Sequence, residues 1–376
     1  MKIGIFGGTF APAHNGHVEI VRRALVTLGL DRLIVMPNGL PPHKESVMTK
    51  EDRFNIARLA FEDIDQRVTV SDYEITKEGA NYSYLTLQHF KETYPDDQLF
   101  FIIGGDSLRD LHLWKNPQKV VALATLAVAE RGDSNNENYR QAVLQSFPEA
   151  KVVFLDFHPM PLSSTDIRIS YRFGEDNSTV VPAKVEQYIK TQGIFAYSAR
   201  QVKTLKTLLT EKRFSHTLSV VKAGVDFART NGISEEKAFL ACLLHDCAKN
   251  VPQERWQDYD FTNAEDLLPP ILHSGLGVKV AQKDFGVTDE EILDAIRYHT
   301  TAKPQMSPLA KLVFVADKAE KTRKYDTTLY YSQALQSIDK AFKTVLYDMY
   351  LIALNKYGAQ NVDKTTLSAL KYYKLI

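Results

Sequence analysis

The sequence predicts an α/β fold, a doubly wound parallel sheet, over its first half and an all-α domain over its second. Three observations carry the prediction. Short apolar runs alternate with helical stretches as far as Tyr197, after which strand signals cease. Three of these runs end in Gly7-Gly8, Pro37 and Gly104-Gly105, the punctuation of buried parallel strands. The chain has 376 residues, more than one ordinary core accommodates and suited to two domains. The change of pattern divides it into residues 1–197 and 198–376; no Pro/Gly/Ser-rich linker, internal repeat or low-complexity segment marks the boundary.

In order along the chain, residues 3–6 (IGIF) form the first strand. Residues 17–29 follow with helical spacing, placing Ile20, Val21, Ala24, Leu25 and Leu28 on one side. Further strands are expected at 33–36, 68–71, 99–103, 124–129 and 152–155, separated by helical stretches. Ligands of such sheets bind beyond the carboxyl ends of the strands, which directs attention to the loops after Phe6, Met36 and Ile103. Beyond Tyr197, helices are expected at 201–211, 215–231, 234–247, 276–285, 289–299, 307–323 and 331–355.

Composition excludes several classes. Apolar residues make up 44% and charged residues 24%, as in a soluble globular chain. Lys plus Arg and Asp plus Glu are equal at 46 each, so the basic excess of a nucleic-acid coat is missing and no nucleic-acid partner is expected. No apolar stretch approaches the roughly 20 residues of a membrane helix. The first ten residues lack the apolar run of a signal peptide. Cys242 and Cys247 give no disulfide framework and read as small packing residues. A cytoplasmic chain with no membrane partner is expected, with self-association into a homo-oligomer left open.

The first candidate site is Gly7-Gly8-Thr9-Phe10 followed by His14-Asn15-Gly16-His17 at a strand-to-helix junction. Glycines admit an anion close to the backbone, and a helix N-terminus points unpaired N–H groups at it. His14 and His17, three residues apart, can both face a phosphate and meet charge developing on the α-phosphate and leaving pyrophosphate. These residues resemble the nucleotidyltransferases marked by a glycine-rich turn and HxGH. Within that Rossmann-like superfamily the chain resembles the bacterial nicotinate-nucleotide adenylyltransferases over about residues 1–196. Four more segments carry the narrower resemblance: Pro37-Asn38 with Pro41-Pro42-His43-Lys44, Gly79–Thr86, Phe101–Trp114, and Ser163–Arg168. The resemblance implies that His43 and Lys44 touch phosphate, that Tyr82 and Ser83 belong to the substrate loop, and that Gly104 and Arg131 contact nucleotide. Ser164, Thr165 and Arg168 are suited to the ATP triphosphate, although the serine-threonine run also fits a helix N-cap. Asp106 is suited to ribose hydroxyls or to positioning Mg²⁺, and Trp114 offers a flat face to a pyridine ring. The chain departs from the family pattern at Ala11 and Leu85, where aspartates are usual, and at Gly105, where alanine is usual.

The second candidate site is the series His216, His245-Asp246, His273, His299 and Asp317. The pair in LLHDCAK is expected on an apolar helix, a costly place for charge that is neither paired nor bound to metal. Its order resembles that of the HD-domain phosphohydrolases. Around the ligands, over about residues 203–350, the chain resembles the bacterial symmetrical diadenosine-tetraphosphate hydrolases, which are associated with iron. Six ligands exceed the needs of one open site, so two ions are expected. Asp246 bridges them, His216, His245 and Asp317 hold one, and His273 and His299 hold the other. Two ions roughly 3.5–4 Å apart can activate water and clamp a phosphoryl oxygen. Imidazole-rich ligation favours Fe, Mn or Zn over Mg. Lys249, Arg297 and Arg323 are candidates for substrate phosphates.

Together the resemblances imply a bifunctional enzyme. One domain joins AMP from ATP to nicotinate mononucleotide with Mg²⁺, giving nicotinate adenine dinucleotide and pyrophosphate. The other splits diadenosine tetraphosphate into two ADP with two transition-metal ions, iron foremost. The alternatives keep the folds: another acceptor such as phosphopantetheine for the first domain; cyclic nucleotides, deoxynucleoside triphosphates or a regulatory nucleotide-binding role for the second.

Overall fold

The computed structural model describes residues 1–39, 48–77, 79, 81–129, 136–155, 160–262, 268–358 and 362–376. The chain divides into two compact units, Met1–Ala199 and Arg200–Ile376. His43, Lys44 and Arg131 lie outside the described residues.

Among the described residues the first unit holds six strands, β1 (Lys2–Gly8), β2 (Arg32–Pro37), β3 (Val68–Val70), β4 (Gln98–Gly104), β5 (Thr125–Ala129) and β6 (Val152–Phe154). All neighbours pair in parallel, in the order β3-β2-β1-β4-β5-β6. The apolar runs explain why the sheet is covered on both sides. Ile3, Ile5, Ile34, Met36, Phe101 and Ile103 enter one buried cluster. Phe6, Leu33, Val35, Phe100 and Ile102 enter the other, as the two-residue alternation of a strand requires. The order reverses between β1 and β4, so the crevice of this sheet opens where Gly8 and Gly104 end their strands.

Two helices shape that crevice. Helix α1 (Asn15–Thr27) starts two residues before the expected position because His14 caps it. Its Ile20, Val21, Ala24 and Leu25 pack on the sheet. Helix α2 (Lys50–Phe61) is opened by Thr49, whose hydroxyl accepts from Asp52 N at 3.0 Å while the Asp52 carboxylate accepts back from Thr49 N at 3.3 Å.

The second unit is helical among its described residues: Glu211–Asn231, Glu235–Leu244, Leu272–Phe285, Glu290–Tyr298, Pro308–Ala319, Thr328–Gln336, Ile338–Tyr357 and Lys364–Tyr372. Thr210, Ser234, Asp289 and Ser307 each accept a first-turn N–H and so set where their helices begin. Helix Ala196–Leu208 leads into the unit from Ala199.

One expected helix is divided, and others end early. The stretch 331–355 is two helices divided at Ser337, which is extended at φ −161° and caps the second. Asn231 bridges the break: its amide donates to Ala334 O and accepts from Ile338 N, both at 2.8 Å. A distant side chain thus replaces helical backbone bonds, and apolar periodicity cannot show that. The stretch 307–323 ends at Ala319, where Glu320 turns extended and accepts from the Thr322 hydroxyl at 2.8 Å. The stretch 234–247 ends at Leu244, so His245 and Asp246 stand at the end of an apolar helix rather than within it. Tighter bonds follow, Cys247 N to Leu244 O at 3.1 Å and Lys249 N to Asp246 O at 2.9 Å.

None of the described helices is long and apolar enough to cross a membrane. Phe227, Phe239, Leu243, Leu312, Phe314 and Phe342 are buried within the helical unit, and Phe314 meets Phe342 edge to face at 5.4 Å. A fragment of residues 196–376, which keeps helix Ala196–Leu208 whole, is expected to fold by itself. A single cooperative thermal transition by circular dichroism checks this. Within it Phe342→Ala should cost about 3–5 kcal/mol, and a fragment without cooperative melting would show a core shared with the first unit.

Candidate functional site

The loop from Thr9 to His14 joins β1 to α1 at the crevice. Gly8 is required there by close approach, since a Cβ would stand 2.8 Å from the Phe10 ring. Phe10 adopts φ 49° and buries its ring against Phe61 and His17. Its side chain belongs to the core, leaving only its backbone to face a ligand. Gly16 is less tightly constrained, a Cβ there lying 3.1 Å from the His14 ring. The two histidines come together at the helix start. His14 N donates to His17 Nδ1 at 3.2 Å, and the rings lie with centroids 3.7 Å apart, tilted by 31°.

The late serine-threonine-arginine motif reaches the same loop from 152 residues away. Ser164, at the start of helix Ser164–Phe173, donates its hydroxyl to Pro12 O at 3.0 Å. Arg168, one turn on, donates to Ala11 O at 2.9 Å and to Thr165 Oγ1 at 3.0 Å. Ser163 caps the helix by accepting from Thr165 N. Ala11 thus contributes its carbonyl to the brace.

Around the same strand ends, Thr9 is exposed, and Gly7 and Gly104 are partly exposed. Asp106 is exposed in the first turn of Gly105–Arg109. Trp114 is half-buried with its edge against Phe101, 6.2 Å between centroids. Tyr82 caps helix Ser83–Thr93 with its ring exposed, and Ser83 opens that helix.

Sequence reasoning missed two features here. Arg53 of α2 is fully buried and donates to Asn38 O at 2.5 Å and Thr9 O at 3.3 Å, tying together the loops after β2 and β1. Its Nε and Nη2 are buried without a hydrogen-bond partner, and burial lowers its pKa. Glu74, raised above the ordinary carboxylate value by burial, accepts from Thr86 Oγ1 at 2.5 Å. Asn81 donates to Glu74 O at 3.2 Å. Neither residue lies in a recognisable motif.

In the helical unit the histidines and aspartates of the second motif series converge. Two groups have ligand atoms mutually within 4.8 Å: His216, His245 and Asp317, and His245, Asp246 and His299. His273 joins at the side, its Nε2 3.0 Å from Asp246 Oδ1 and 3.3 Å from His299 Nε2. His216 Nε2 is 3.1 Å from Asp317 Oδ1. His245 and His299 each place Nδ1 2.7 Å from a carbonyl one turn back, Cys242 O and Ile296 O. That contact puts the proton on Nδ1 and leaves Nε2 as a lone pair. His245 Nε2 is buried with no hydrogen-bond partner, 3.5 Å from Asp246 and 3.8 Å from Asp317. A lone pair aimed between carboxylates and imidazoles is the donor set of a divalent cation, and these residues fit one.

Charge in the cluster is compensated by cations. Burial pushes the Asp246 carboxyl up, but the side chains around it outweigh burial and hold it well below the usual range. Asp317 is likewise held down against burial, by Lys318, His216 and Arg323. Arg213 pairs with Asp246 Oδ2 at 2.7 Å, a contact not anticipated from the sequence. Of the three proposed phosphate contacts, Arg323 lies on Asp317 and Lys249 Nζ stands 3.0 Å from His273 Nδ1. Arg297 instead lies over the Tyr298 ring at 5.9 Å. Cys242 and Cys247 are fully buried, and burial pushes both thiols up.

Comparison with known proteins follows the same division. A cytidylyltransferase-like family pattern matches residues 5–169 and an HD-domain pattern matches residues 213–322. A Mycoplasma genitalium protein named probable nicotinate-nucleotide adenylyltransferase/Ap4A hydrolase is 30% identical over 370 residues, covering 96% of this chain and 99% of its own. Its counterpart of the same name in Mycoplasma pneumoniae is 30% identical over 326 residues, covering 86% and 89%. A Clostridium tetani protein named probable nicotinate-nucleotide adenylyltransferase is 38% identical over 198 residues, covering 52% of this chain and 98% of its own.

Burial holds His299 near pKa 4, below its ordinary value of 6.5, although Asp246 opposes the shift. The unfolded chain then binds more protons between those values, so this histidine makes stability fall as pH falls through that window. His216 runs the other way. Burial lowers its pKa, the bonds to Asp317 and Glu320 more than restore it, and its stabilising contribution is lost as pH rises through the raised value. The metal-stripped chain is therefore expected to lose less melting temperature between pH 7 and pH 5 as His299→Gln than as the parent. Equal losses would show that His299 is not held neutral.

Proposed function

This chain belongs to the family of fused nicotinate-nucleotide adenylyltransferase/Ap4A hydrolases, and we propose that it carries out both reactions, one in each unit. The first unit transfers AMP from ATP to nicotinate mononucleotide, giving nicotinate adenine dinucleotide and pyrophosphate. The second splits diadenosine tetraphosphate symmetrically into two ADP. A cytoplasmic setting, where thiols stay reduced, is part of this reading.

The observation that carries the first assignment is the meeting of the early and late motifs at one strand end. His14 and His17 start α1, and Ser164 and Arg168 brace the loop before it. The reaction needs no protein nucleophile. A phosphate oxygen of the mononucleotide attacks the α-phosphorus, a P–O bond forms as the bond to pyrophosphate breaks, and the protein's task is positioning and charge. His14 and His17 meet the charge that grows on the α-phosphate and the leaving group. Ser164, Thr165 and Arg168 line the triphosphate side, with Asp106 and Trp114 serving ribose and pyridine beyond β4. Mg²⁺, arriving with ATP, neutralises the triphosphate.

The second assignment is carried by the buried histidine–aspartate cluster, whose Nδ1 contacts leave Nε2 lone pairs facing carboxylates. His216, His245, Asp246, His273, His299 and Asp317 are the proposed ligands of two transition-metal ions, iron foremost, with Asp246 shared. Bound there, the ions polarise a phosphoryl oxygen and lower the pKa of water. Arg213 and Arg323 pair with the carboxylates, Lys249 lies against the His273 ring, and these three cations are assigned to the substrate phosphates.

His17→Ala should lower kcat for nicotinate adenine dinucleotide formation about 100–1,000-fold with little change in KM, and leave hydrolysis of diadenosine tetraphosphate intact. Asp246→Ala should show the reverse pattern, with hydrolysis lost and adenylyl transfer kept. Both products measured on each preparation of the full chain decide this. Unchanged kcat in His17→Ala removes that role, a preference for phosphopantetheine removes the acceptor assignment, and normal hydrolysis by Asp246→Ala removes the second site.

A further inference from the structure

Each histidine of the cluster turns one ring nitrogen toward Asp246 or Asp317, and the partner of the other nitrogen differs. For His245 and His299 it is a neutral backbone carbonyl. For His273 the Lys249 ammonium lies against the ring, 3.0 Å from Nδ1 and 3.2 Å from Nε2. For His216 it is a carboxylate, with Glu320 Oε1 3.0 Å from Nδ1. Glu320 is 1% exposed and lies outside both ligand groups.

Its place follows from the chain. Glu320 is the first residue beyond helix Pro308–Ala319, three residues after Asp317. The two acids therefore grip one imidazole from opposite sides, Asp317 at Nε2 and Glu320 at Nδ1. Glu320 is itself held by the backbone N–H and hydroxyl of Thr322, at 2.5 and 2.8 Å, with Arg323 Nε 3.6 Å away. A carboxylate that accepts Nδ1–H fixes the tautomer and also makes Nε2 a stronger donor to a metal, whereas a carbonyl does mainly the first.

We propose that Glu320 is a positioning residue of the metal centre, holding His216 in its Nδ1–H form and strengthening the ion on the His216–Asp317 side over the ion on the His273–His299 side. The proposal rests on the assignment of these residues as metal ligands.

The test is a titration of the full chain, stripped of metal, with Mn²⁺, the free ion being followed by electron paramagnetic resonance. The parent should show two classes of site. Glu320→Ala should weaken one class about 10–100-fold and leave the other unchanged. Glu320→Gln, whose amide oxygen still accepts from Nδ1–H without the charge, should fall between. His216→Ala should weaken the same class, and adding Glu320→Ala to it should weaken that class no further, as coupling through one imidazole requires. Parent-like affinity in Glu320→Ala would overturn the proposal. Equal weakening of both classes, or additive losses in the double variant, would do the same, because Glu320 would then act through the Thr322 turn rather than through His216. A parent chain that binds no Mn²⁺ would overturn the ligand assignment itself, and is distinguishable because no variant would then matter.

Discussion

Holding the Asp246 carboxylate out of water is the constraint around which the helical unit is built. An isolated buried charge is too costly to persist, so it must be paired, hydrogen-bonded or bound to metal. Here His273 and Arg213 reach Asp246 directly, His245 and His299 stand within 3.6 Å, and Lys249 packs behind His273. Asp317 repeats the arrangement with His216, Lys318 and Arg323. The helices that deliver these groups come from five separate stretches of sequence, so satisfying two carboxylates fixes how those helices pack.

The adenylyl-transfer unit solves a related problem differently. Arg53 is a buried cation whose contacts among the described residues are neutral carbonyls at the ends of two adjacent strands. It holds the loops after β1 and β2 together where the strand order of the sheet opens a crevice. Ser164 and Arg168 hold the same β1 loop from the opposite end of the domain's sequence. The brace uses the backbone carbonyl of Ala11, so it is independent of the side chain by which this chain departs from the family pattern.

Much of this was legible in the sequence because the signals were short-range. Apolar runs closed by Gly7-Gly8, Pro37 and Gly104-Gly105 marked three strands, and the HxGH and serine-threonine-arginine motifs marked the residues that meet at the crevice. The histidine–aspartate series marked a cluster through the resemblance of its order to that of the HD-domain phosphohydrolases. What escaped were features made by contacts between distant segments. Asn231 breaks a periodic apolar stretch at Ser337 by supplying two hydrogen bonds from another helix. Arg53, Arg213 and Glu320 look like ordinary charged helix residues until their burial and partners are seen. The sequence offers Lys249 and Arg323 as candidates for substrate phosphates, but their contacts with His273 and Asp317 depend on helix packing.

The two sites also show how backbone position decides what a histidine can do. His14 is the N-cap of its helix and His17 lies in its first turn, where unpaired N–H groups and the positive end of the helix dipole favour an anion and disfavour a charged imidazolium. Histidines there are suited to meet phosphate as hydrogen-bonding groups. His245 and His299 are C-caps, and each gives its Nδ1 proton to a carbonyl three residues back, one of the orphan acceptors at a helix end. The helix end thereby selects the tautomer whose free Nε2 faces the carboxylates, before any ion is present. His216 lies inside a long helix, where the carbonyls one turn back are committed to backbone bonds. A carboxylate just beyond the end of another helix supplies the acceptor there, and that carboxylate is Glu320.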